Sequence, residues 1–426
     1  MKEKLNRRIQ EGSLRQPIPK EQLQRSRSFF SDFSSNDYLG LAQDTGQQER
    51  VNKLYELWKR QGRSTLGASG SRLLSGDSLE CRELEDWLAK IHNRPSATLF
   101  NSGYDANLSV LSCLLQPEDV VILDELCHNS LVMGVLMSRQ REYKTFQHNN
   151  VLDLRMQLKT LVCKGRVLIV VESLYSMDGD IAPLRDILDL AKEYGSEVIV
   201  DEAHGLGLYG KTNTANLALV RIKPKTELCH INGGTGVLAA LELESHRSLL
   251  CTIYTFGKAM GCHGAIVCGS TTLRDYLWNY ARPFIYSTAL PTHSLISIRS
   301  AYESMTGPEG KIRRNLVFSN VKLFRSQLLH ALPSIGKVRL LFSQSPIQAL
   351  VIPGNDECIN FCRRMQQEYR IQLFPIRAPT VPKGEERVRI ILHAHNTHKE
   401  VLMLTKILLL TLYSMGLLEY SSHSKL

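Results

Sequence analysis

No two cysteines of this sequence are spaced as CxxC, and none of its ten cysteines stands among histidines at zinc-ligand intervals. The nearest pairs, Cys358 with Cys362 and Cys262 with Cys268, lack partners at the spacing a tetrahedral site needs, so no metal is expected. Buried free thiols in a reducing compartment are the expected state. The opening residues, MKEKLNRRIQEG, mix acids with bases and hold no apolar core, which argues against a secretory leader. A membrane span is not expected either: the most apolar stretch, 401–418, is interrupted by Lys406 and two threonines and reads as a terminal helix packed on its own domain. Internal repeats and low-complexity tracts are also absent, and the glycine- and serine-rich loop over 67–76 (GASGSRLLSG) lacks the GxGxxG order of a dinucleotide fold.

What is present is ordinary for a soluble globular protein: 43% hydrophobic and 22% charged residues over 426 positions, enough for a large domain and a smaller one. The net charge of +10 and pI near 9.1 come from scattered basic residues, with short clusters only at the N-terminus and at 221–225. That distribution argues against a nucleic-acid partner and favours attraction of anionic small molecules.

The chemistry gathers around residues 197–209, EVIVDEAHGLGLY. Val198, Ile199 and Val200 form a β-branched run suited to a strand buried on both faces of a parallel sheet. The glycines at 205, 207 and 210 end it, leaving Asp201 and His204 near the strand's carboxyl end, where open α/β sheets bind ligands. Residues 254–261 (YTFGKAMG) place Lys258 between Gly257 and the small Ala259. Taken singly, the aspartate reads as a cap and the lysine as a solvated charge. An acid, an imidazole and an amine on loops of one sheet are together what pyridoxal phosphate (PLP) requires: an imine to the lysine, a carboxylate on the ring nitrogen and a donor on the phenolic oxygen.

Other segments place more groups on the same rim. A strand at 97–100, the turn Asn101-Ser102-Gly103-Tyr104 and a helix over 105–115 make an anion cradle, with Gly103 admitting a phosphate to the backbone. A strand at 120–123 delivers Cys127, His128 and Asn129, and one at 167–171 leads to Ser176 in ESLYSMDGD. Strands alternating with helices of about a dozen residues predict a doubly wound, largely parallel α/β sheet. A strand at 265–269, a hydroxyl- and aromatic-rich loop at 281–291 and a helix from Thr292 complete the large domain. Gly307, Pro308 and the charged run 311–314 suggest the boundary of an α+β domain, in which Arg389 is suited to a carboxylate. The expected division is an N-terminal arm over 1–58, a large domain over 59–305, a small domain over 306–420 and a tail over 421–426.

The blocks SSNDYLGL, GASGSRLLSG, NSGYDAN, CHNSL, SMDGD, DEAHGLG, TFGKAMG, ARPFIYSTALP and RAPTVP, in this order over almost the whole chain, resemble the α-oxoamine synthases, PLP enzymes of the aspartate-aminotransferase fold. The nearest resemblance is to the branch that condenses L-alanine with pimeloyl-CoA, releasing coenzyme A and carbon dioxide, to give 8-amino-7-oxononanoate for biotin. The resemblance implies that Lys258 carries the cofactor and removes the α-proton, Asp201 pairs with the ring nitrogen, His204 with the phenolic oxygen, and His128 stacks on the ring. It further implies that Gly103, Tyr104 and Thr255 bind the phosphate and that Ser176 contacts the phenolic side. Asn36 and Arg389 would hold the amino-acid carboxylate, Arg15 and Thr380 the acyl chain, and two copies of the chain would form a homodimer with the site at the interface.

Other α-oxoamine synthases, condensing glycine with acetyl-CoA or succinyl-CoA, stay open as alternatives, as does a non-catalytic paralogue. The stretch between Tyr209 and Lys258 is longer than in relatives by roughly 20 residues, over about 214–232, and two readings stay open: a surface insertion that is tolerated because closure entropy grows slowly with length, or an aberrant segment that spoils the site. The final residues Ser424, Lys425 and Leu426 spell a peroxisomal address, which implies the import receptor as a partner and the peroxisome as the expected compartment, with the cytoplasm as the alternative.

Overall fold

The computed structural model describes residues 1–10, 14, 31–63, 66–140, 142–211, 233–329, 331–332, 337–378 and 380–418. The chain forms two compact units, a larger one of residues 39–176 and 181–314 and a smaller one of residues 1–38, 177–180 and 315–426. Their boundary falls inside one continuous helix, Pro308–Leu328, where a boundary segment with a break at Gly307 and Pro308 was expected. Proline is compatible with the first helical position because its missing N–H has no intrahelical acceptor there.

The larger unit is built on a seven-stranded sheet in the order Ser96–Phe100, Ala265–Gly269, Leu249–Thr255, Glu197–Asp201, Val167–Glu172, Val120–Asp124 and Lys144–Phe146. Neighbours from Leu249–Thr255 to Lys144–Phe146 are parallel, while Ala265–Gly269 runs antiparallel to both of its neighbours. Ser96–Phe100 therefore points the same way as the parallel set, and the carboxyl ends of these strands share one rim. Val198, Ile199 and Val200 are all fully buried, as their β-branched run predicts. One face of the sheet, with Val121, Leu123, Leu168, Val170, Ile199 and Ile253, packs in a single cluster with Val110, Leu131 and Leu273 from three helices, Gly103–Leu114, Asn129–Leu136 and Thr271–Tyr280. Each such side chain contributes about 1.5–3 kcal/mol through removal from water.

The strands expected at 97–100, 120–123 and 167–171 each extend by one residue, and the helix expected after Asp77 or Ser78 spans Leu79–Ile91 with Ser78 Oγ accepting from the Cys81 N–H. Two local expectations need correction. The turn placed over 101–104 ends early, because Ser102 caps a helix that already begins at Gly103. The segment 281–291 is not all loop, since Arg282–Tyr286 is helical, with Pro283 again in the first turn.

The smaller unit holds an antiparallel four-stranded sheet in the order Phe374–Ile376, Arg387–Ile391, Ile347–Val351, Arg339–Leu340, and the parallel pair Ser31–Asp32 with Ile371–Gln372. The apolar C-terminal stretch is the helix His398–Ser414, closed at its start by a reciprocal pair of bonds between Thr397 and Glu400. It buries Val401, Leu404, Leu408 and Leu412, and no helix among the described residues is long and apolar enough to cross a membrane.

Candidate active site

Five features of the larger unit meet at the carboxyl rim of its sheet. Asp201 ends the Glu197–Asp201 strand, paired in register with Glu172 on one side and Ile253 on the other. Its Oδ1 accepts the Ala203 N–H at 2.8 Å and its Oδ2 accepts Asn107 Nδ2 at 2.7 Å. The chain then turns tightly: the Glu202 N–H donates to Ile253 O at 2.7 Å, and those of Gly205 and Leu206 donate back to Glu202 O. His204 is buried in this turn.

Lys258 follows the neighbouring strand Leu249–Thr255 by three residues, in a loop held by the Gly261 N–H on Lys258 O (2.9 Å) and the Cys262 N–H on Phe256 O (2.9 Å). The two loops meet where Gly207 packs against the methyl of Ala259. Gly207 has a φ of +86°, and a Cβ there would lie 2.4 Å from Ala259 Cβ, so glycine is required both for the left-handed turn and for the approach.

His128 precedes the helix Asn129–Leu136 and caps it, its Nδ1 accepting the Ser130 N–H at 3.2 Å and lying 2.7 Å from Ser130 Oγ. Its own N–H donates to Glu172 Oε1 at 2.6 Å. Burial lowers the His128 pKa; Asp201 opposes this and Lys258 adds to it. Glu172 is pushed up to about 8, by burial first and then by the Asp201 charge, against the pull of Lys258 and of the His128 N–H. These mutual effects place Asp201, His128, Glu172 and Lys258 within electrostatic reach of one another. Glu202, also fully buried, is raised to about 7 by desolvation, opposed by the Leu238 N–H (2.7 Å) and the Ser173 hydroxyl (2.7 Å).

The cradle stands beside this cluster. Thr255 ends the lysine strand, and a Cβ on Gly103 would meet Thr255 Oγ1 at 3.0 Å, so the first turn of Gly103–Leu114 lies directly against that hydroxyl. The leading amides of a helix have no intrahelical acceptor, and Gly103 and Tyr104 present theirs here. Ser176 is half-buried, three residues beyond Ser173, whose N–H donates to Asp201 O at 2.8 Å. A phosphate, a protonated ring nitrogen and an aldehyde find matching groups here in the cradle, Asp201 and Lys258, so the donor set fits PLP.

In the smaller unit Asn36 and Arg389 come together, Arg389 Nη2 donating to Asn36 Oδ1 at 2.9 Å. The guanidinium is largely desolvated, which lowers its pKa, and its Nε is buried with no hydrogen-bond acceptor. Thr380 sits on an exposed turn, its N–H on Arg377 O at 2.8 Å. Arg15, the stretch 214–232 and the terminal Ser424, Lys425 and Leu426 lie outside the described residues.

Asn107, Ser130 and Glu172 are functional groups that the sequence reading did not single out. Asn107 had a usable signal: it lies one turn beyond Gly103, a polar side chain on the face of the helix that carries the buried Ala106, Val110 and Leu111.

Residues 30–408 match the family aminotransferase class I and II. The chain is 38% identical over 385 residues to an 8-amino-7-oxononanoate synthase of Emericella nidulans, covering 87% of this chain and 86% of that one. It is 34% identical over 366 residues to a putative 8-amino-7-oxononanoate synthase of Bacillus cereus, at 86% and 83% coverage. Among solved structures, the serine palmitoyltransferase of Sphingomonas wittichii superposes with a TM-score of 0.77 at 24% identity, over 91% of this chain and 88% of that one. The 8-amino-7-oxononanoate synthase of Francisella tularensis does so with 0.69 at 23%, over 91% and 99%. The rim of one parallel sheet that gathers Lys258, Asp201 and His128 thus belongs to a family shown by the length and strength of these matches: the chain is a member of the class I and II aminotransferase family, with the fold of its α-oxoamine synthase branch.

Proposed function

We propose that the protein is a PLP-dependent acyltransferase that condenses L-alanine with a pimeloyl thioester, releasing coenzyme A and carbon dioxide and forming 8-amino-7-oxononanoate. The observation that carries this reading is the meeting of Lys258, Asp201 and His128 beside the Gly103–Thr255 cradle. The substrates follow from the names of the relatives at 38% and 34% identity, which favour alanine over glycine.

Bound in this site, PLP supplies a ring that accepts the electron pair left at the amino acid's Cα. The chain's own groups do the rest. The Gly103 and Tyr104 amides and the Thr255 hydroxyl hold the phosphate. Asp201 holds the proton on the ring nitrogen, His204 donates to the phenolic oxygen with Ser176 beside it, and His128 covers the ring face. Lys258 would hold the cofactor through Nζ, and as a free amine the same atom would take the proton from the amino acid's Cα. Arg389 and Asn36 bind the amino-acid carboxylate, for which the buried Arg389 Nε is an unused donor. Arg15 and Thr380 are assigned to the acyl chain.

A homodimer is supported by an open groove of 1220 Å³ in the larger unit, lined by Leu108, Met137, Tyr276, Tyr280 and Tyr286, of which Met137, Tyr280 and Tyr286 are exposed. Import into peroxisomes is supported by the terminal Ser424-Lys425-Leu426; a fluorescent protein fused to the N-terminus should reach peroxisomes, and deletion of the three residues should leave it in the cytoplasm.

The test is mass spectrometry of products after incubation with alanine or glycine and a panel of acyl thioesters. The alanine and pimeloyl assignment fails if glycine with a short acyl chain is the preferred pair. Purified protein should be yellow, and Lys258→Ala should abolish the visible band of the lysine-bound cofactor.

A further inference from the structure

The proton positions around His128 are decided by donors that have no choice. The Ser130 N–H can only donate, and it points to His128 Nδ1 at 3.2 Å. Asp201 already accepts the Ala203 N–H at Oδ1, and its Oδ2 faces the side-chain amide of Asn107 at 2.7 Å, so the Asn107 atom there is the NH2 group. The second hydrogen of that NH2 group reaches Ser130 Oγ at 2.9 Å. Ser130 Oγ thereby accepts from Asn107 and has its own proton to give, and the group 2.7 Å away is His128 Nδ1. Both donors of Ser130 converge on one nitrogen.

We infer that Asn107 and Ser130 are positioning residues that fix His128 as the neutral tautomer protonated on Nε2, so that its outward nitrogen serves as a hydrogen-bond donor and not as a base. The relay runs Ala203 N–H, Asp201, Asn107, Ser130, His128, and its three central side chains, Asp201, Asn107 and Ser130, are buried. Asn107 Oδ1 is left buried without a partner, so the amide is oriented at the expense of its own carbonyl. Glu172 anchors the main chain at this position, its Oε1 accepting the backbone N–H of His128 at 2.6 Å. Protonation of Nδ1 would break two hydrogen bonds at once, which agrees with the lowered His128 pKa. The outward Nε2–H then suits an oxygen of a bound substrate, a carboxylate or a thioester carbonyl. An imidazole whose tautomer is set by its other nitrogen is a general device.

This inference rests on the reading that His128 faces the cofactor, and the experiment separates the two. Holoenzyme labelled with 15N-histidine is measured by solid-state NMR, the His128 signals being those lost in His128→Asn. The expected result at pH 7 is an imine-type Nδ1 and a pyrrole-type Nε2 in the wild type. Ser130→Ala should give mixed tautomers and a kcat reduced roughly tenfold, as outer-shell partners typically cost 10- to 100-fold. Its KM for the amino acid and its PLP dissociation constant should change less than about threefold, and Ser130→Thr should restore both spectrum and rate. Asn107→Ala, which releases Asp201 as well, should show mixed tautomers together with a PLP dissociation constant raised roughly tenfold. A pyrrole-type Nδ1 in the wild type, or an unchanged spectrum in Ser130→Ala, overturns the inference while the visible band of the wild type still supports the functional reading. A wild type with no such band overturns the functional reading instead.

Discussion

Replacing Glu172 with glutamine removes a buried ionisation while keeping the atom that holds His128, because a side-chain amide oxygen accepts the His128 N–H as a carboxyl oxygen does. In the folded chain the Glu172 pKa stands at about 8 against 4.5 for an ordinary glutamate, first through burial and then through Asp201. The folded protein thus binds a proton that the unfolded chain gives up. The sign follows: this carboxyl costs nothing below pH 4.5, its cost grows as pH rises toward 8, and above that it levels off. At 1.36 kcal/mol per unit, a difference of three to four units between the states sets a ceiling of about 5 kcal/mol. Sharing of the proton with Asp201 lowers this, and roughly 3 kcal/mol between pH 5 and pH 9 is the expected change. Unfolding by urea, with PLP removed so that its charges do not enter, should show Glu172→Gln gaining on the wild type by that amount as the pH is raised. Parallel stability curves for the two proteins from pH 5 to 9 would refute the buried-acid argument.

Gly207→Ala should lower stability by about 3 kcal/mol in thermal unfolding, since the left-handed backbone penalises any side chain and the new methyl meets Ala259. Gly103→Ala presses on Thr255 at 3.0 Å, so the fold should survive while the PLP dissociation constant, read by the visible band, rises roughly tenfold. Arg389→Lys keeps the charge but loses the guanidinium fork that reaches Asn36, so KM for alanine should rise roughly tenfold with kcat little changed in initial-rate assays.

What could be read from the sequence was whatever a single segment decides for itself. The β-branched run at 198–200 specifies a buried strand in any context, and Ser78 announces a helix start through its own side chain. The strand Leu249–Thr255 was harder: only its last residues were read, as the approach to Lys258, because it carries no alternation and its burial depends on the strands beside it. The helix Thr45–Arg60 went unread although Val51, Leu54, Tyr55 and Trp58 recur at helical spacing, these side chains being only half-buried and Gln47 alone fully so. At the site, Lys258, Asp201 and His204 stood out because glycines mark their turns. Asn107 and Ser130 did not, since an asparagine in a helix and a serine after a histidine acquire meaning only when the sheet brings residues 107, 130 and 201 together.

The electrostatics of the rim follow from the register of two strands. Glu172 and Asp201 are paired residues at the carboxyl ends of adjacent parallel strands, both almost wholly buried. Two carboxyls so placed do not both ionise without a large cost, and one proton belongs to the pair. Asp201 receives two N–H donors, from Ala203 and Asn107, whereas Glu172 receives one, from His128. Hydrogen bonds to a carboxylate favour its charged form, so the proton sits on Glu172. The negative charge is left on Asp201, the residue that would pair with a protonated ring nitrogen, and the neutral acid is the one that braces the main chain at His128. Exchanging the donor counts, by moving Asn107 out of reach of Asp201, should shift the proton between the two carboxyls and weaken the hold on a protonated ring before it disturbs the fold.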